Sequence, residues 1–257
     1  MPEVTSNPPG TFCWIELGTS DTSAAKDFYT KLFGWTTREE DLGEMGTYYI
    51  FQKKGRDAAA MYQIGPTMEG MPPNWMSYIS VASADEAVAK AKQLGATVLD
   101  GPFNVDTHGR MAVLRDPQGA HFCVWQPLIH PGIGIRDEAG SLCWNELQAR
   151  DVAAAKTFYP ALAGWTMKET PEYTEWHAGP QPVGGMMQSQ APAGIPSYWM
   201  PYFAVDDCDA TTHAAVAGGA AVLAGPMDYP GVGRFSVMCD PQGAVFAVIR
   251  LDLSQHG

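Results

Sequence analysis

The sequence has few positive charges and few cysteines. Its 257 residues include 16 Lys and Arg against 28 Asp and Glu, which gives a formal net charge of −12. A chain this negative repels phosphate backbones and anionic headgroups, so we expect neither nucleic-acid nor membrane-surface binding. Five cysteines without a CxxC pair form an odd set, which favours reduced thiols over a disulfide framework.

Targeting segments and several catalytic motifs are also missing. The first twelve residues lack a basic stretch followed by an apolar one, and no apolar run approaches the ~18–20 residues that span a bilayer. These features predict a cytoplasmic protein. A GxSxG motif, a Ser-His-Asp pattern and a phosphate-binding glycine loop are absent, which argues against hydrolases and nucleotide-dependent enzymes.

What the sequence does contain is an internal repeat. Residues 12–36 align without a gap on 142–166, with 14 of 25 positions identical. Residues 75–125 align on 199–249 at a constant offset of 124, with 22 of 51 positions identical. Self-similarity on this scale indicates duplication of a whole structural unit. We therefore predict domain 1 at 10–127, a glycine-containing linker at 128–140 and domain 2 at 141–252.

Each domain shows one local pattern twice. In the first strand apolar residues alternate with Trp14, Glu16 and Gly18, and the following helix begins at the N-cap Asp21 and ends at Gly34. Short strands follow, and Asp116–Gly119 (DPQG) fits a type I turn that joins the last two. The order β-α-β-β-β occurs four times, which predicts an α+β protein.

These motifs resemble a known superfamily. A strand followed by D–xx–A–xx–FY–xxx–G–W, and then by DPxG and an apolar strand, is similar to the vicinal oxygen chelate superfamily, which includes glyoxalase I, bleomycin-resistance proteins and extradiol dioxygenases. The motif WxEL…D…AxxFYxxxxGW, present twice, resembles bacterial two-domain glyoxalase-related proteins often labelled hydroxylases. The resemblance covers about 12–127 and 142–250. It implies two tandem half-open barrels, each built from two βαβββ modules and each enclosing a ligand site.

The metal positions implied by this resemblance hold unsuitable residues. The first-strand His positions hold Trp14 and Trp144, those of the second modules hold Met76 and Met200, and the closing Glu positions hold Cys123 and Ala247. We therefore predict no metal or other cofactor. One alternative remains in domain 1, where His121 and Cys123 share a strand face and, with Glu16, offer three donors for a divalent cation. Otherwise His121 is a partly buried polar residue and Cys123 an apolar filler.

Glu16 and Glu146 occupy the same place in the repeat. Because the alternate residues of their strands are apolar and suited to packing on helices, these carboxylates should face the ligand side. Desolvation there raises a carboxyl pKa toward the range of a general base. The alternative is a structural glutamate, satisfied by a backbone N–H or by Arg110 and Arg234.

Strand alternation predicts further residues on the ligand side. This set is rich in aromatic rings and thioethers, which suits a flat and largely apolar small molecule. Besides Glu16 and Glu146, it comprises Trp14, Met76, Tyr78, His121, Cys123, Trp125, Trp144, Met200 and Tyr202. Arg110 and Arg234, which follow glycine at equivalent positions, are candidates for a ligand carboxylate or for structural ion pairs.

Two function classes follow from this sequence. The first is a metal-independent enzyme, an isomerase, lyase or hydroxylase type, that uses Glu16 or Glu146 as base on a small organic molecule. The second is a protein that sequesters such a molecule without chemistry, as an antibiotic-binding protein does. Either way the predicted partner is a small molecule. Because both barrels lie in one chain, we expect a monomer.

Overall fold

The computed structural model describes residues 4–43, 46–68 and 70–252. Two open eight-stranded sheets with two helices each make up the molecule. The elements of domain 1 are β1 (Phe12–Thr19), α1 (Thr22–Phe33), β2 (Thr36–Asp41), β3 (Thr47–Lys53), β4 (Arg56–Gln63), β5 (Asn74–Ser80), α2 (Ala84–Gln93), β6 (Thr97–Val105), β7 (Gly109–Arg115) and β8 (His121–Pro127). Those of domain 2 are β9 (Leu142–Ala149), α3 (Val152–Ala163), β10 (Thr166–Glu169), β11 (Thr174–Ala178), β12 (Gln181–Gln188), β13 (Tyr198–Ala204), α4 (Cys208–Ala217), β14 (Ala221–Tyr229), β15 (Gly233–Cys239) and β16 (Val245–Leu251).

Both sheets have the same strand order. The order in domain 1 is β2-β3-β4-β1-β5-β8-β7-β6, and that in domain 2 is β10-β11-β12-β9-β13-β16-β15-β14. The first strands of the two modules, β1 and β5, pair antiparallel at the centre, while each pairs in parallel with the last strand of its own module. The edge strands do not join, so each sheet is open. The predicted pairs of βαβββ modules are confirmed.

The caps of the first helix follow from local chemistry. The side chain of Asp21 accepts from the backbone N–H of Ala24, and Gly34 ends the helix with φ 65°, a left-handed conformation that glycine adopts without a steric penalty. The equivalent helix α3 begins at Asp151 and ends at Gly164 in the same way. The duplicated sequence therefore forms duplicated local structure.

The outer faces of the two sheets pack together. Phe33 of α1 lies with its ring centroid 4.7 Å from that of Phe203 on β13, and Ser77 of β5 donates a 2.8 Å hydrogen bond to Asn145 of β9. Trp35 and Trp165, which follow the glycines that end α1 and α3, are 4% and 3% exposed. Apolar burial of this kind is the main favourable contribution to folding. Here the buried apolar side chains hold domain 1 and domain 2 together.

Two reciprocal hydrogen bonds also join the domains. The hydroxyl of Tyr29 donates to Oδ2 of Asp240 at 2.9 Å, and the hydroxyl of Tyr159 donates to Oδ2 of Asp116 at 2.9 Å. Both aspartates begin a DPQG turn between the last two strands of a domain. The predicted hairpins are confirmed, and each turn also binds the helix of the other domain.

The linker does not simply bridge the domains but crosses domain 1. Ile133 donates from its backbone to the carbonyl of Cys13 at 2.7 Å, and Gly134 donates to that of Asp57 at 2.8 Å. Ile133 and Ile135 are buried. This segment therefore covers one end of the domain 1 sheet.

Candidate functional site

The two faces of each sheet differ in their surroundings. Ile15 and Leu17 are buried on the side of the helices, so Trp14 and Glu16 lie on the opposite side. Trp14 pairs with Tyr78, and Glu16 pairs with Met76. Directly paired residues share a face of the sheet. We call this side, and its counterpart in domain 2, the inner face.

Glu16 is bound by two tyrosines in domain 1. The hydroxyls of Tyr48 on β3 and Tyr78 on β5 both donate to Oε2 of Glu16, at 2.7 and 3.0 Å. The indole N–H of Trp14 donates to the hydroxyl of Tyr48 at 3.3 Å. Glu16 remains half-buried. These four side chains form what we call the Glu16 cluster.

Glu146 is bound by similar residues in domain 2. Tyr202 donates to its Oε1 at 3.0 Å, Gln148 donates to the same atom at 2.7 Å, and Tyr173 also forms a hydrogen bond to the carboxylate. Trp144 donates to the hydroxyl of Tyr173 at 2.8 Å. Glu146 is only 5% exposed. These five side chains form the Glu146 cluster.

Tyr48 and Tyr173 are not among the site residues predicted from the sequence. Strand register makes the two tyrosines equivalent, because Glu16 pairs with Ala60 and Ala60 with Ile50, just as Glu146 pairs with Gly185 and Gly185 with Glu175. Tyr48 and Tyr173 are 125 positions apart in the sequence, a value between the offsets of the two aligned blocks. A repeated tyrosine in this unaligned segment was the signal available to find them.

Burial controls the ionisation of both clusters. Desolvation raises the pKa of Glu16 above its ordinary value of 4.5, and the hydrogen bonds from Tyr48 and Tyr78 only partly oppose the rise. The pKa of Glu146 is raised in the same way, against hydrogen bonds from Tyr202, Tyr173 and Gln148. Burial and the nearby carboxylate raise the pKa of Tyr48 well above its usual value. The tyrosines are therefore neutral donors at neutral pH.

The remaining inner-face candidates surround the Glu16 cluster. Tyr78 pairs with Cys123, and the next inner-face residue of β8 is Trp125. Met76, Cys123 and Trp125 are all buried. Burial first, and Glu16 second, raise the pKa of the Cys123 thiol, so it remains protonated and unreactive. In domain 2, Met200 pairs with Glu146, and Tyr202 pairs with Trp144.

The suggested cation site of domain 1 does not form. His121, expected to be partly buried, is exposed at the start of β8, while Cys123 is buried behind it. The nearest neighbours of Glu16 are tyrosines and Met76, which do not provide a donor set for a divalent cation. Throughout the described ranges, no three His, Cys, Asp or Glu side chains are grouped to hold a metal ion. The residues present do not fit the metal centre of the fold family.

Arg110 and Arg234 lie outside the Glu16 and Glu146 clusters. The guanidinium of Arg110 binds both carboxylate oxygens of Asp85, at 2.8 and 2.9 Å, and Arg234 does the same with Asp209. Each aspartate is in the first turn of a helix on the outer face. The alternative in which Arg110 and Arg234 pair with Glu16 and Glu146 is therefore wrong, because each arginine lies three strands away from the glutamate and next to the helix that bears its aspartate.

Two cavities lie outside the inner-face clusters. One of about 560 Å³ lies between α3 and β12, lined among others by Lys156, Tyr173 and Met187. Another of about 410 Å³ lies at the β14–β15 turn beside the end of β16. The first touches the Glu146 cluster through Tyr173. Neither is lined by Glu16.

None of the helices in the described segments is long and apolar enough to cross a membrane.

Comparison with protein families gives two matches. Residues 11–124 match the model of the glyoxalase/bleomycin resistance protein/dioxygenase superfamily. Residues 144–249 match the model of a glyoxalase-like domain. Each match coincides with one eight-stranded sheet.

Curated relatives span almost the whole chain. A Mycobacterium tuberculosis protein named "Putative glyoxylase CFP32" is 41% identical over 257 residues, which cover 97% of this chain and 98% of the relative. The anthracycline biosynthesis protein DnrV of Streptomyces peucetius is 36% identical over 259 residues, with 95% and 94% coverage. Both relatives therefore share the two-domain organisation in full.

Solved structures show the same fold at low identity. The Mn(II)-bound glyoxalase from Novosphingobium aromaticivorans has a TM-score of 0.67 at 17% identity, covering 95% of this chain and 83% of that one. Homoprotocatechuate 2,3-dioxygenase from Brevibacterium fuscum has a TM-score of 0.67 at 14% identity, covering 98% and 84%. These structures show the fold, and the family models and relatives show that the chain belongs to the glyoxalase/bleomycin resistance protein/dioxygenase superfamily.

Proposed function

We propose that domain 1 binds a small, flat and largely apolar organic molecule on its inner face, and that Glu16 acts on it as a general base without a metal ion. The observation that carries this proposal is the Glu16 cluster. A half-buried carboxylate, bound through one oxygen by two tyrosines, lies opposite Met76 and on the same face of β1 as Trp14. Such a carboxylate has a raised pKa and an oxygen left for a ligand proton.

Domain 1 is favoured over domain 2 as the site of the reaction, because the substrate must be able to reach the general base. Both tyrosine hydrogen bonds in the Glu16 cluster go to Oε2, and the side chain stays half-buried. Glu146 is buried and has a third donor, Gln148. We assign Glu146 a supporting role, in which it organises the inner face of domain 2.

The substrate class follows from the inner face and from the relatives. Aromatic rings and thioethers favour flat apolar molecules by stacking and dispersion. Two relatives are named anthracycline biosynthesis proteins, and anthracyclines are flat polycyclic aromatic compounds with phenol and carbonyl oxygens. In such a molecule Glu16 would take a proton from a phenol oxygen or from a carbon next to a carbonyl, as isomerase and lyase reactions require.

A matched pair of variants tests the assignment. Small aromatic and dicarbonyl compounds are first screened by thermal shift, since a molecule that binds the folded state raises the melting temperature. Turnover and affinity are then measured for Glu16→Gln and Glu146→Gln. We expect Glu16→Gln to lower turnover by about 10²–10⁴-fold with little change in affinity, and Glu146→Gln to retain turnover within about tenfold. Equal losses in both variants would contradict the assignment to domain 1.

The second candidate function is sequestration without chemistry. It is favoured by the apolar side chains of Trp14, Met76 and Trp125 on the inner face, because apolar contact with a flat molecule does not require a base. In that case Glu16→Gln changes affinity alone, and no product forms with the wild-type protein.

A further inference from the structure

We propose that His130, in the linker, is a ligand-binding residue of domain 1, which donates a hydrogen bond from Nε2 to an oxygen of the bound molecule. This inference rests on the proposed function and adds a specificity-determining residue to it. Sequence comparison of the two domains gave no role to this histidine, because it lies outside the repeat.

The position of His130 is fixed by contacts with inner-face residues. Its ring packs edge to face on Trp14 with 4.9 Å between centroids, and lies 6.1 Å from the ring of Trp125. The backbone carbonyl of His130 accepts from the indole N–H of Trp125 at 3.1 Å. Both tryptophans belong to the inner face. The linker therefore places an imidazole at the end of the inner face of domain 1.

The hydrogen bonds of the ring decide which nitrogen is available. Nδ1 accepts from the backbone N–H of Gly132 at 3.0 Å, so the proton of the neutral ring is on Nε2. Nε2 is on the other side of the ring and so is turned away from the linker backbone. Within the ranges that the structure describes, no group accepts from it. Burial also lowers the pKa of His130, which keeps the ring neutral.

Trp14 connects His130 to the rest of the Glu16 cluster. Trp14 donates to Tyr48, and Tyr48 donates to Glu16. The inner face of domain 1 thus has an acceptor at Glu16 and a neutral donor at His130, with Trp14 between them. A flat aromatic molecule with a phenol and a carbonyl oxygen has a partner for each, because the phenol donates to the carboxylate and the carbonyl accepts from the imidazole.

Other titratable groups lie near His130 at this end of the inner face. His108 lies 6.2 Å away between ring centroids, and Arg38 forms ion pairs with Glu40 and Asp57. These groups act on His130 through space, Asp57 and Glu40 raising its pKa while His108 and Arg38 lower it. Arg38 is already occupied by its carboxylate partners. Nε2 of His130, by contrast, has no carboxylate partner among the residues that the structure describes.

Two substitutions separate ligand binding from packing. His130→Phe keeps an aromatic ring against Trp14 but removes the donor, and His130→Gln keeps an N–H donor at the position of Nε2 but removes the ring. The probe is 1,4-dihydroxyanthraquinone, whose dissociation constant is measured by quenching of tryptophan fluorescence. The neighbouring His108→Phe is the control.

We expect His130→Phe to weaken binding of this probe about tenfold, as loss of one buried hydrogen bond does. His130→Gln should stay within about threefold of the wild-type protein, and His108→Phe within about twofold. Weaker binding by the Gln variant than by the Phe variant would show a packing role only and overturn the inference. Retained affinity in both variants would also overturn it.

The same titration distinguishes failure of the inference from failure of the proposed function. If the wild-type protein binds the probe and Trp14→Ala weakens binding, but His130→Phe does not, only the role of His130 is wrong. If the wild-type protein does not bind, or if Trp14→Ala leaves the dissociation constant unchanged, the inner-face site fails and the inference fails with it. Thermal melting of each variant checks that the linker remains folded.

Discussion

The two domains have the same framework and different inner faces. In the central strand, WIELG of domain 1 corresponds to WNELQ of domain 2, so Gly18 lies where domain 2 has Gln148. The amide of Gln148 binds Glu146, whereas the space beside Gly18 is taken by Tyr62, whose hydroxyl would lie 2.9 Å from a Cβ at that position. Ile133 and Gly134 of the linker bind domain 1, whereas Gly140 at its end donates to Ala204 of domain 2. Duplication thus preserved the carboxylate and its tyrosines, while its accessibility diverged.

The comparison shows which features a duplicated fold can vary. The outer faces bind each other through matched contacts, Tyr29 with Asp240 and Tyr159 with Asp116. A change there affects both halves. Each inner face borders solvent and its own loops, so a change there affects only one half. We therefore expect the function to be specialised on one inner face.

The largest effect on stability should come from filling the space beside Glu146. A methyl group on Gly185 would overlap the ring of Tyr173, so Gly185→Ala must displace this tyrosine from Glu146 and Trp144. We expect a loss of about 3 kcal/mol, from overpacking together with lost hydrogen bonds. Urea unfolding measures it.

The matched control is Ala60→Gly, because Ala60 is the domain 1 residue at this position and already has its methyl group. We expect a cost of about 1 kcal/mol there, from the greater backbone freedom of glycine. If Gly185→Ala is as stable as the wild-type protein, Tyr173 is not held against Gly185, and the Glu146 cluster then differs from the Glu16 cluster in the position of its tyrosine.

A smaller and symmetric effect should follow from Tyr29→Phe and Tyr159→Phe. Each removes the donor to a buried aspartate, and each also removes the acceptor of a tryptophan N–H, that of Trp75 or Trp199. We expect each variant to lose about 2 kcal/mol of unfolding free energy, since buried polar groups are left unpaired. The control is Tyr49→Phe, whose hydroxyl is on a partly exposed ring of β3.

Equal losses in the two variants would support a symmetric interface beside asymmetric inner faces. A loss in one variant alone would show that the asymmetry extends through the whole molecule.

The smallest effects concern pH. The folded-state pKa of Glu16 and of Glu146 is raised, so each contributes stability that is fully present below pH 4.5 and lost as pH rises through the raised pKa. We expect unfolding free energy, measured in urea from pH 4 to 8, to fall less steeply in both Glu16→Gln and Glu146→Gln.

Turnover should depend on pH differently from stability. It should fall as pH drops below the raised pKa of Glu16, because a protonated carboxyl is no longer a base. Glu146→Gln should retain this acid limb. An acid limb that disappears in Glu146→Gln would place the base in domain 2.

Local sequence determined much of this protein by itself. The repeat, the caps at Asp21 and Gly34, the DPQG hairpins and the side of the strand that bears Trp14 and Glu16 were all predictable. Each depends on residues within a few positions of one another, where backbone geometry allows few arrangements. The low positive charge and the residues at the family's metal positions were equally open to inspection.

Only the tertiary structure decided the partners of these residues. Tyr48 is 32 residues from Glu16, and Arg110 binds Asp85 on a neighbouring helix. The linker over Trp14 and the bonds between Tyr29 and Asp240 join segments still farther apart. No local pattern specifies such pairs, because they depend on strand order and on how the two sheets pack. Periodicity in the sequence gives the face of a side chain, but only the assembled sheets give its neighbours.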